Sequence, residues 1–228
     1  MEYPMKAIAR VRSDFPTKFG IPRQSGLVRA LESTVVFERE FRNPDALRGL
    51  EGFSHLWLVW VFDRSLRDRW SPTVRPPRLG GNQRLGVFAT RSPFRPNPIG
   101  LSCVELAGVE TTAEHGTVLR VRGADLADGT PILDIKPYLP YADSHPEALG
   151  GFAPAPGETL EVVIPPQLLE QVPPEHREAL REVLAQDPRP RYQDDPERVY
   201  GFGFAGMEVK FSVDGGRLTV TDIQQKAD

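Results

Sequence analysis

The sequence predicts a mainly β protein, in which a single-sheet β-barrel forms an N-terminal domain and a small α+β domain follows. Two observations lead to this fold class. Short apolar or alternating runs recur along the first half of the chain with turn residues and little helix between them, as is typical of a closed or nearly closed barrel. A stretch rich in Pro, Gly and Ala, residues 145–158, then places the domain boundary between residues 1–144 and 145–228.

Each strand predicted in the first domain is bounded by turn residues. The run KAIARVRS alternates apolar and polar residues, the period of a half-buried strand, and a long loop with two prolines and two glycines follows it. The segment NPDALRGL predicts one short helix with Asn43 as its cap and Pro44 in its first turn. The run HLWLVWVF predicts a strand that is buried on both sides. The predicted strands span residues 6–13, 33–41, 55–62, 84–90, 101–110, 117–126 and 131–139.

The second domain combines one helix with a hairpin. The segment PPEHREALREVLAQDPRP predicts an amphipathic helix that Pro188 ends. Its apolar face carries Ala179, Leu180, Val183 and Leu184. Two strands follow in RVYGFGFAGMEVKFSV and GRLTVTDI, and the turn Asp214-Gly215-Gly216 between them predicts a β-hairpin.

Composition argues against a membrane protein and against an oxidising compartment. The longest apolar run is far shorter than the roughly 20 residues that span a bilayer, and the first ten residues contain no signal-peptide core. A single cysteine, Cys103, cannot form an intrachain disulfide, which fits a reducing compartment. We therefore expect a cytoplasmic protein without a membrane partner.

Two motif classes are rejected on context. GFGFAG, residues 201–206, matches the dinucleotide fingerprint G-x-G-x-x-G, but it leads into a strand-like run and not into a helix, so we expect a bulge or a close backbone approach there. The four histidines, His55, His115, His145 and His176, are scattered and lack metal-ligand spacing. We therefore expect no metal site.

The charge distribution is uneven. The formal net charge of the chain is −3, yet residues 64–95 contain eight arginines, no lysine and one acid, which gives +7. Arginine favours planar, bidentate recognition of phosphate or carboxylate. Within FATRSPFRPNPIGL, three prolines stiffen the end of this segment and lower the entropy lost on binding. A solvated arginine-rich loop is the alternative interpretation.

The second unusual segment is DGTPILDIKPY, residues 128–138. Asp128 and Thr130 offer side-chain oxygens beside a glycine that permits close backbone approach, which suits a ribose or an amine. Period two places Asp134, Lys136 and Tyr138 on one face of the following strand. That face is polar either because it has a function or because it lies outside the barrel.

Several long blocks of the sequence resemble the TsaA-like transfer RNA methyltransferase family. The blocks are FGIPRQSGLV, LEGFSHLWLVWVF, TVRPPRLGGNQRLGVFATRSPFRPNPIGLS, LADGTPILDIKPYLPYADS and, in the C-terminal extension, LAQDPRPRY. The resemblance implies an enzyme that uses S-adenosylmethionine to methylate the N6 nitrogen of threonylcarbamoyladenosine beside the anticodon of tRNA. It also implies a homodimer whose donor site lies near the subunit interface.

The resemblance also assigns site residues by position. The donor-binding residues it implies are Pro22, Arg23, Gln24, Asp63, Arg64, Arg91, Leu101, Asp128, Gly129, Thr130 and Pro131. The residues placed to meet RNA are Arg75, Arg78, Arg84, Arg95 and Asn97. The chain departs from the family at Asp63, where many members have histidine, and at Ser25, where proline is common.

The residues do not identify a catalytic base. Methyl transfer to an exocyclic nitrogen needs a group that takes its proton, and no metal is required. Asp134 is the first candidate, although pairing with Lys136 explains it equally well. Two other functions remain open at this stage: a non-enzymatic RNA-binding module that uses the same arginines, and a barrel that binds a small anionic metabolite without RNA.

Overall fold

The computed structural model describes residues 3–189 and 195–226. The last three residues of the block LAQDPRPRY, residues 190–192, lie outside this range. The strands are β1 Ala9–Arg12, β2 Glu32–Phe37, β3 His55–Val61, β4 Thr73–Val74, β5 Leu85–Gly86, β6 Ile99–Thr112, β7 Gly116–Arg122, β8 Pro131–Pro137, β9 Glu161–Val163, β10 Tyr200–Phe204, β11 Met207–Asp214 and β12 Arg217–Gln225. The helices are α1 Pro140–Asp143, α2 Pro166–Leu169 and α3 Pro174–Ala185, and short 3₁₀ helices span Arg39–Phe41, Pro44–Leu47, Leu50–Gly52, Asp63–Ser65, Pro77–Leu79 and Val87–Ala89. The mainly β class predicted from the sequence is confirmed.

Six strands pair in a closed ring with the order β1-β2-β7-β6-β3-β8, and β8 pairs again with β1. All the pairs are antiparallel, so alternate side chains point into the ring. The barrel core contains the inward residues of these strands. Its largest fully buried members are Leu56, Leu58, Leu119, Leu126 and Ile132.

Two sequence expectations for this half are corrected. The run HLWLVWVF is buried on one side only, because Leu56, Leu58 and Trp60 point into the barrel while the alternate residues are partly covered or exposed. The run at residues 84–90 forms only the two-residue strand β5, which pairs with β4. The residues after β5 turn back as a 3₁₀ helix because the backbone is satisfied locally, with the Thr90 amide donating to the Val87 carbonyl at 3.1 Å.

The C-terminal part packs a four-stranded sheet, β10-β11-β12-β9, against α3. The four predicted apolar residues of α3, Ala179, Leu180, Val183 and Leu184, are its buried face. The predicted hairpin forms between β11 and β12. GFGFAG lies in β10 and the next turn, and a Cβ placed on Gly203 would lie 2.7 Å from Cγ of Pro16, which confirms the close backbone approach.

The loop between β1 and β2 joins the two halves. Phe15, Val28 and Leu31 are buried in the C-terminal core, among residues that include Phe204 and Ile223. The Asp14 carbonyl accepts a 2.9 Å hydrogen bond from the Ala205 amide. A loop that begins and ends in the barrel therefore completes the core of the other sheet.

None of the helices in the described residues is long and apolar enough to cross a membrane. In residues 3–189 and 195–226, no three His, Cys, Asp or Glu side chains form a group that could hold a metal ion.

Candidate functional site

A cavity of about 430 Å³ opens at one end of the barrel. A polar groove elsewhere on the protein is larger, about 970 Å³, but contains none of the residues implied for donor binding except Asp128, so we call the first one the main cavity. This end is where β3 finishes and where β6 and β8 begin, because those strands run antiparallel. The loop between β1 and β2 and the end of the arginine-rich segment complete the wall. The lining residues are Lys18, Ile21, Pro22, Arg23, Gln24, Trp60, Phe62, Asp63, Arg64, Ser65, Arg91, Pro93, Phe94, Arg95, Ile99, Gly100, Leu101, Asp125, Leu126, Ala127 and Thr130.

The main cavity brings together most of the residues that the family resemblance implies for donor binding, although they come from five separate places in the sequence. Eight of them line it: Pro22, Arg23, Gln24, Asp63, Arg64, Arg91, Leu101 and Thr130. Asp128, Gly129 and Pro131 are not in the lining. The wall mixes apolar side chains, which suit a nucleobase, with guanidinium groups, which suit a carboxylate.

The side-chain oxygens of Asp128 and Thr130 are already used within the protein. The Asp128 carboxylate accepts a 3.2 Å hydrogen bond from the Ser13 amide and lies 3.5 Å from Nη1 of Arg12. The Thr130 hydroxyl is buried and donates to the Ala127 carbonyl at 2.7 Å. A carboxylate can accept more than one hydrogen bond on each oxygen, so the interpretation that these oxygens are offered to a ribose or an amine stays a prediction. Of this turn, Thr130 lines the main cavity.

Two cavity arginines are held by neutral oxygens. Nη1 of Arg64 donates to the Pro16 carbonyl at 2.7 Å, and its Nη2 donates to the Asp128 carbonyl. Nη1 of Arg91 donates to Oε1 of Gln24. These bonds fix the position of each guanidinium group without cancelling its charge, so both remain suited to an anionic group.

The arginine-rich segment, residues 64–95, keeps its positive charge. Within the described residues, none of its eight arginines forms a salt bridge with Asp or Glu. Their contacts are with neutral groups: Arg67 lies 3.5 Å over the Phe94 ring, Nε of Arg84 donates to the Thr73 hydroxyl at 2.8 Å, and Nη1 of Arg95 donates to the Thr90 carbonyl at 3.2 Å. Arg78 donates to the Ala155 carbonyl. The segment leaves the main cavity at Ser65 and returns to it at Arg91.

Of the residues predicted to meet RNA, Arg95 lines the main cavity, while Arg75, Arg78, Arg84 and Asn97 lie outside it. Sequence reasoning missed an aromatic pair in the same segment. Trp70 and Phe88 are 51% and 73% exposed, and their rings stack with centroids 6.3 Å apart. The sequence did contain a signal for this pair, namely large aromatic residues between arginines. Exposed rings among cations are typical of surfaces that stack nucleic-acid bases.

Sequence reasoning also missed Asp125, which follows β7 and lines the main cavity. The Ser102 hydroxyl donates a 2.5 Å hydrogen bond to its carboxylate, and the indole Nε1 of Trp60 donates to the same hydroxyl at 2.9 Å. Burial raises the pKa of Asp125, although the hydrogen bond from Ser102 opposes the shift. Nothing local in the sequence marks this residue, because a barrel end brings it to Ser102 from another strand.

Asp134, the first candidate for a catalytic base, is not in the main cavity. Its carboxylate lies 2.9 Å from Nζ of Lys136, and both side chains are well exposed on β8. The polar face of that strand is therefore the outer face of the barrel.

Comparisons with known proteins cover both halves of the chain. The tRNA-methyltransferase O N-terminal domain model matches residues 10–144, and the model of the corresponding C-terminal domain matches residues 158–226. The chain is 46% identical over 220 residues to a tRNA (adenine(37)-N6)-methyltransferase of Escherichia coli, covering 92% of this chain and 93% of the relative. It is 44% identical over 218 residues to a putative S-adenosylmethionine-dependent methyltransferase of Pseudomonas aeruginosa, covering 92% of each. A crystal structure of TrmO from Pseudomonas aeruginosa superposes with a TM-score of 0.81 at 35% identity, covering 98% of both chains.

Proposed function

The chain belongs to the tRNA-methyltransferase O family, and from that premise we propose that the main cavity holds the methyl donor beside a surface that receives the anticodon arm of a tRNA. The protein is an S-adenosylmethionine-dependent methyltransferase that acts on the N6 nitrogen of adenosine 37 in tRNA. The finer substrate we propose is threonylcarbamoyladenosine at that position. The observation that carries the donor site is the convergence of eight implied donor residues on one cavity.

The donor residues divide by chemistry. Ile21, Phe62 and Leu101 offer apolar contact to an adenine ring, and Arg64 and Arg91 offer guanidinium groups to the donor's carboxylate. When bound, S-adenosylmethionine supplies the methyl group. The protein contributes alignment, because methyl transfer depends on an in-line approach and proximity alone is worth up to roughly 7–11 kcal/mol in favourable systems.

The RNA surface in this proposal combines the arginine-rich segment with the Trp70–Phe88 pair. Arginines without acidic partners attract phosphates, and exposed rings stack on bases that leave the loop. Because the segment is anchored on the cavity wall at both ends, RNA bound there lies next to the donor. Arg75, Arg78, Arg84, Arg95 and Asn97 are the proposed contacts.

The finer architecture is proposed as well. Residues 1–144 act as the β-barrel methyltransferase domain, and residues 145–228 act as a small α+β domain. Two copies form a homodimer with the donor site near the interface; the exposed Leu66 and Leu101, at 61% and 52%, support a covered surface beside the main cavity. The enzyme works in the cytoplasm, where its tRNA substrate is available.

The direct test is mass spectrometry of nucleosides after incubation with S-adenosylmethionine. Two matched tRNA substrates are used, one carrying threonylcarbamoyladenosine at position 37 and one carrying unmodified adenosine. We expect methylated threonylcarbamoyladenosine from the first substrate only. Methylation of the unmodified tRNA would overturn the finer substrate, and no methylation of either would overturn the function. RNA binding without donor binding would instead support the non-enzymatic module, and a cavity that takes only small anions would support the metabolite-binding barrel.

A further inference from the structure

Asp125 is a carboxylate held in the main cavity without a cationic partner. The Ser102 hydroxyl donates a 2.5 Å hydrogen bond to its carboxylate, and the backbone amides of Asp125 itself and of Ser25 also favour the charged form. In the part of the chain that the structure describes, no Lys, Arg or His nitrogen forms a salt bridge with it. Arg91 attracts it from a greater distance, while the hydrogen bond of Arg91 goes to Gln24.

An ionised carboxylate in such a position is costly. Removal from water disfavours the charged form, and proteins normally compensate a buried charge with an opposite charge. Hydrogen bonds from neutral donors compensate only part of that cost and leave acceptor capacity on the two oxygens. The cavity that contains Asp125 is therefore matched to a ligand that brings a positive charge.

The donor named in the proposed function has such a charge. S-adenosylmethionine carries a permanent positive charge on its sulfonium sulfur, whereas the product, S-adenosylhomocysteine, has a neutral thioether at the same place. We propose that Asp125 is the counter-charge for the sulfonium centre, and that it makes the main cavity prefer the charged donor over the neutral product. This inference rests on the proposed function and adds a specificity-determining residue to it.

A second cavity carboxylate, Asp63, provides a comparison. Asp63 lies in the 3₁₀ turn Asp63–Ser65 and is exposed, so water screens its charge. Charge pairs that are open to solvent contribute little compared with pairs removed from it. The preference for the charged donor therefore depends on Asp125 and much less on Asp63.

The test is calorimetric titration of the full-length protein with three ligands: S-adenosylmethionine, S-adenosylhomocysteine, and sinefungin, which carries an amine in place of the sulfonium group. The wild type should bind S-adenosylmethionine more tightly than S-adenosylhomocysteine. In Asp125→Asn we expect the affinity for the two cationic ligands to fall by about tenfold or more. The affinity for S-adenosylhomocysteine should change less than about twofold, because its thioether sulfur carries no positive charge.

Asp63→Asn serves as the control, because it makes the same chemical change in the same cavity at an exposed position. It should leave the ratio of the two affinities within about twofold of the wild type. Circular dichroism of each variant checks that it is folded.

Three outcomes would overturn the inference: an equal loss for charged and neutral ligands in Asp125→Asn, no loss for any ligand, or a wild type that prefers S-adenosylhomocysteine. The last of these needs no variant, so the inference stays testable if Asp125→Asn does not fold. A wild type that binds none of the ligands and methylates no tRNA would instead count against the proposed function itself.

Discussion

The backbone of Gly100 lies directly against the indole ring of Trp60. A Cβ placed on residue 100 would lie 2.2 Å from Cε2 of Trp60, much closer than carbon atoms approach in folded proteins. Both residues line the main cavity, and the indole Nε1 is held at 2.9 Å by the Ser102 hydroxyl. The shape of the cavity therefore depends on the absence of a side chain at position 100.

Gly100→Ala should destabilise the protein and weaken donor binding together. The ring of Trp60 must move to admit the methyl group, and overpacking of this kind costs about 1–3 kcal/mol. Urea unfolding and calorimetric donor titration are the measurements. The matched control is Gly108→Ala on the same strand, where the nearest atom to a new Cβ is Oε1 of Glu110 at 3.9 Å. A Gly100→Ala variant as stable as Gly108→Ala would contradict the packing argument.

Gly20→Ala should weaken donor binding from outside the main cavity. Gly20 has φ of +90°, and its Cβ would lie 2.3 Å from Cδ2 of Phe202 in the C-terminal sheet. The substitution strains the loop that carries Pro22 and Gln24, and we expect a loss of about 1–3 kcal/mol of stability. Gly26→Ala is the control, because Gly26 has a similar φ, +76°, and no atom lies within 4 Å of its new Cβ. It measures the cost of the positive φ without the clash. Equal effects of the two variants would show that contact with Phe202 is unimportant.

Loss of the Trp70–Phe88 pair should reduce tRNA affinity while leaving donor affinity unchanged. Stacking of a base on an aromatic ring is worth about 1–3 kcal/mol, so Trp70→Leu with Phe88→Leu should weaken tRNA binding at least fivefold. Trp70→Phe with Phe88→Tyr keeps two rings and should retain most of the affinity. Leucine also keeps an apolar surface, and light scattering of both double variants shows whether the pair serves a dimer instead. A change in oligomeric state with unchanged tRNA affinity would refute a stacking role.

Arg75→Gln should lower both the tRNA affinity and its salt dependence. Removing one arginine–phosphate interaction reduces the slope of log K against log salt by about 1 unit, because one fewer counterion is released on binding. The matched control is Arg48→Gln, because Arg48 is already paired with the Asp45 carboxylate. Filter binding across a range of salt concentrations measures the slope. Equal slopes for the two variants would remove Arg75 from the RNA surface.

Stability should decrease in acid partly through Glu32. This residue on β2 accepts hydrogen bonds from Arg122 and Arg120 on β7, and the bond from Arg122 is the main reason that the pKa of Glu32 is lower than its usual value of 4.5. The pKa of Glu32 is lower in the folded protein than in the unfolded chain. The stabilisation that its ion pairs provide is therefore complete above about pH 4.5 and is lost as the pH falls through the folded pKa. The side chains are half exposed, so its size is about 1 kcal/mol or less.

The measurement for Glu32 is urea unfolding of the wild type and of Glu32→Gln at a series of acid pH values. The difference between them should shrink as the pH falls. The comparison with Glu32→Gln is needed because burial raises the pKa of Asp14 and Asp125, so their effect on stability changes with pH in the opposite direction. Both proteins contain these two residues, so their effects cancel in the difference. A difference that does not depend on pH would show that the ion pairs contribute nothing.

Local sequence signals predicted most of the strands and α3, because burial periodicity and turn residues act over a few neighbours. The buried face of α3 was predicted correctly for this reason; it consists of Ala179, Leu180, Val183 and Leu184. The strand predicted at residues 84–90 was too long, because an apolar composition does not reveal whether a partner strand is present. Only the two-residue strand β4 pairs with this run.

The site was less predictable than the fold. The resemblance named eight residues of the main cavity, while Asp125, Ser102 and Trp60 form a network across strands that no local pattern encodes. The contact between Asp128 and the Ser13 amide could not be predicted for the same reason, because the two residues lie 115 positions apart in the sequence.

Because the loop between β1 and β2 is shared by the two halves, the order of synthesis also determines when this loop becomes fixed in the nascent chain. The barrel has all its strands once β8 has left the ribosome, at Pro137, but the loop that carries Arg23 and Gln24 packs on residues as late as Ile223. Domains form as they emerge during synthesis. A chain halted between these two points would hold a closed barrel with an unanchored donor loop, so the first segment of the cavity wall to be translated is the last to be fixed in place.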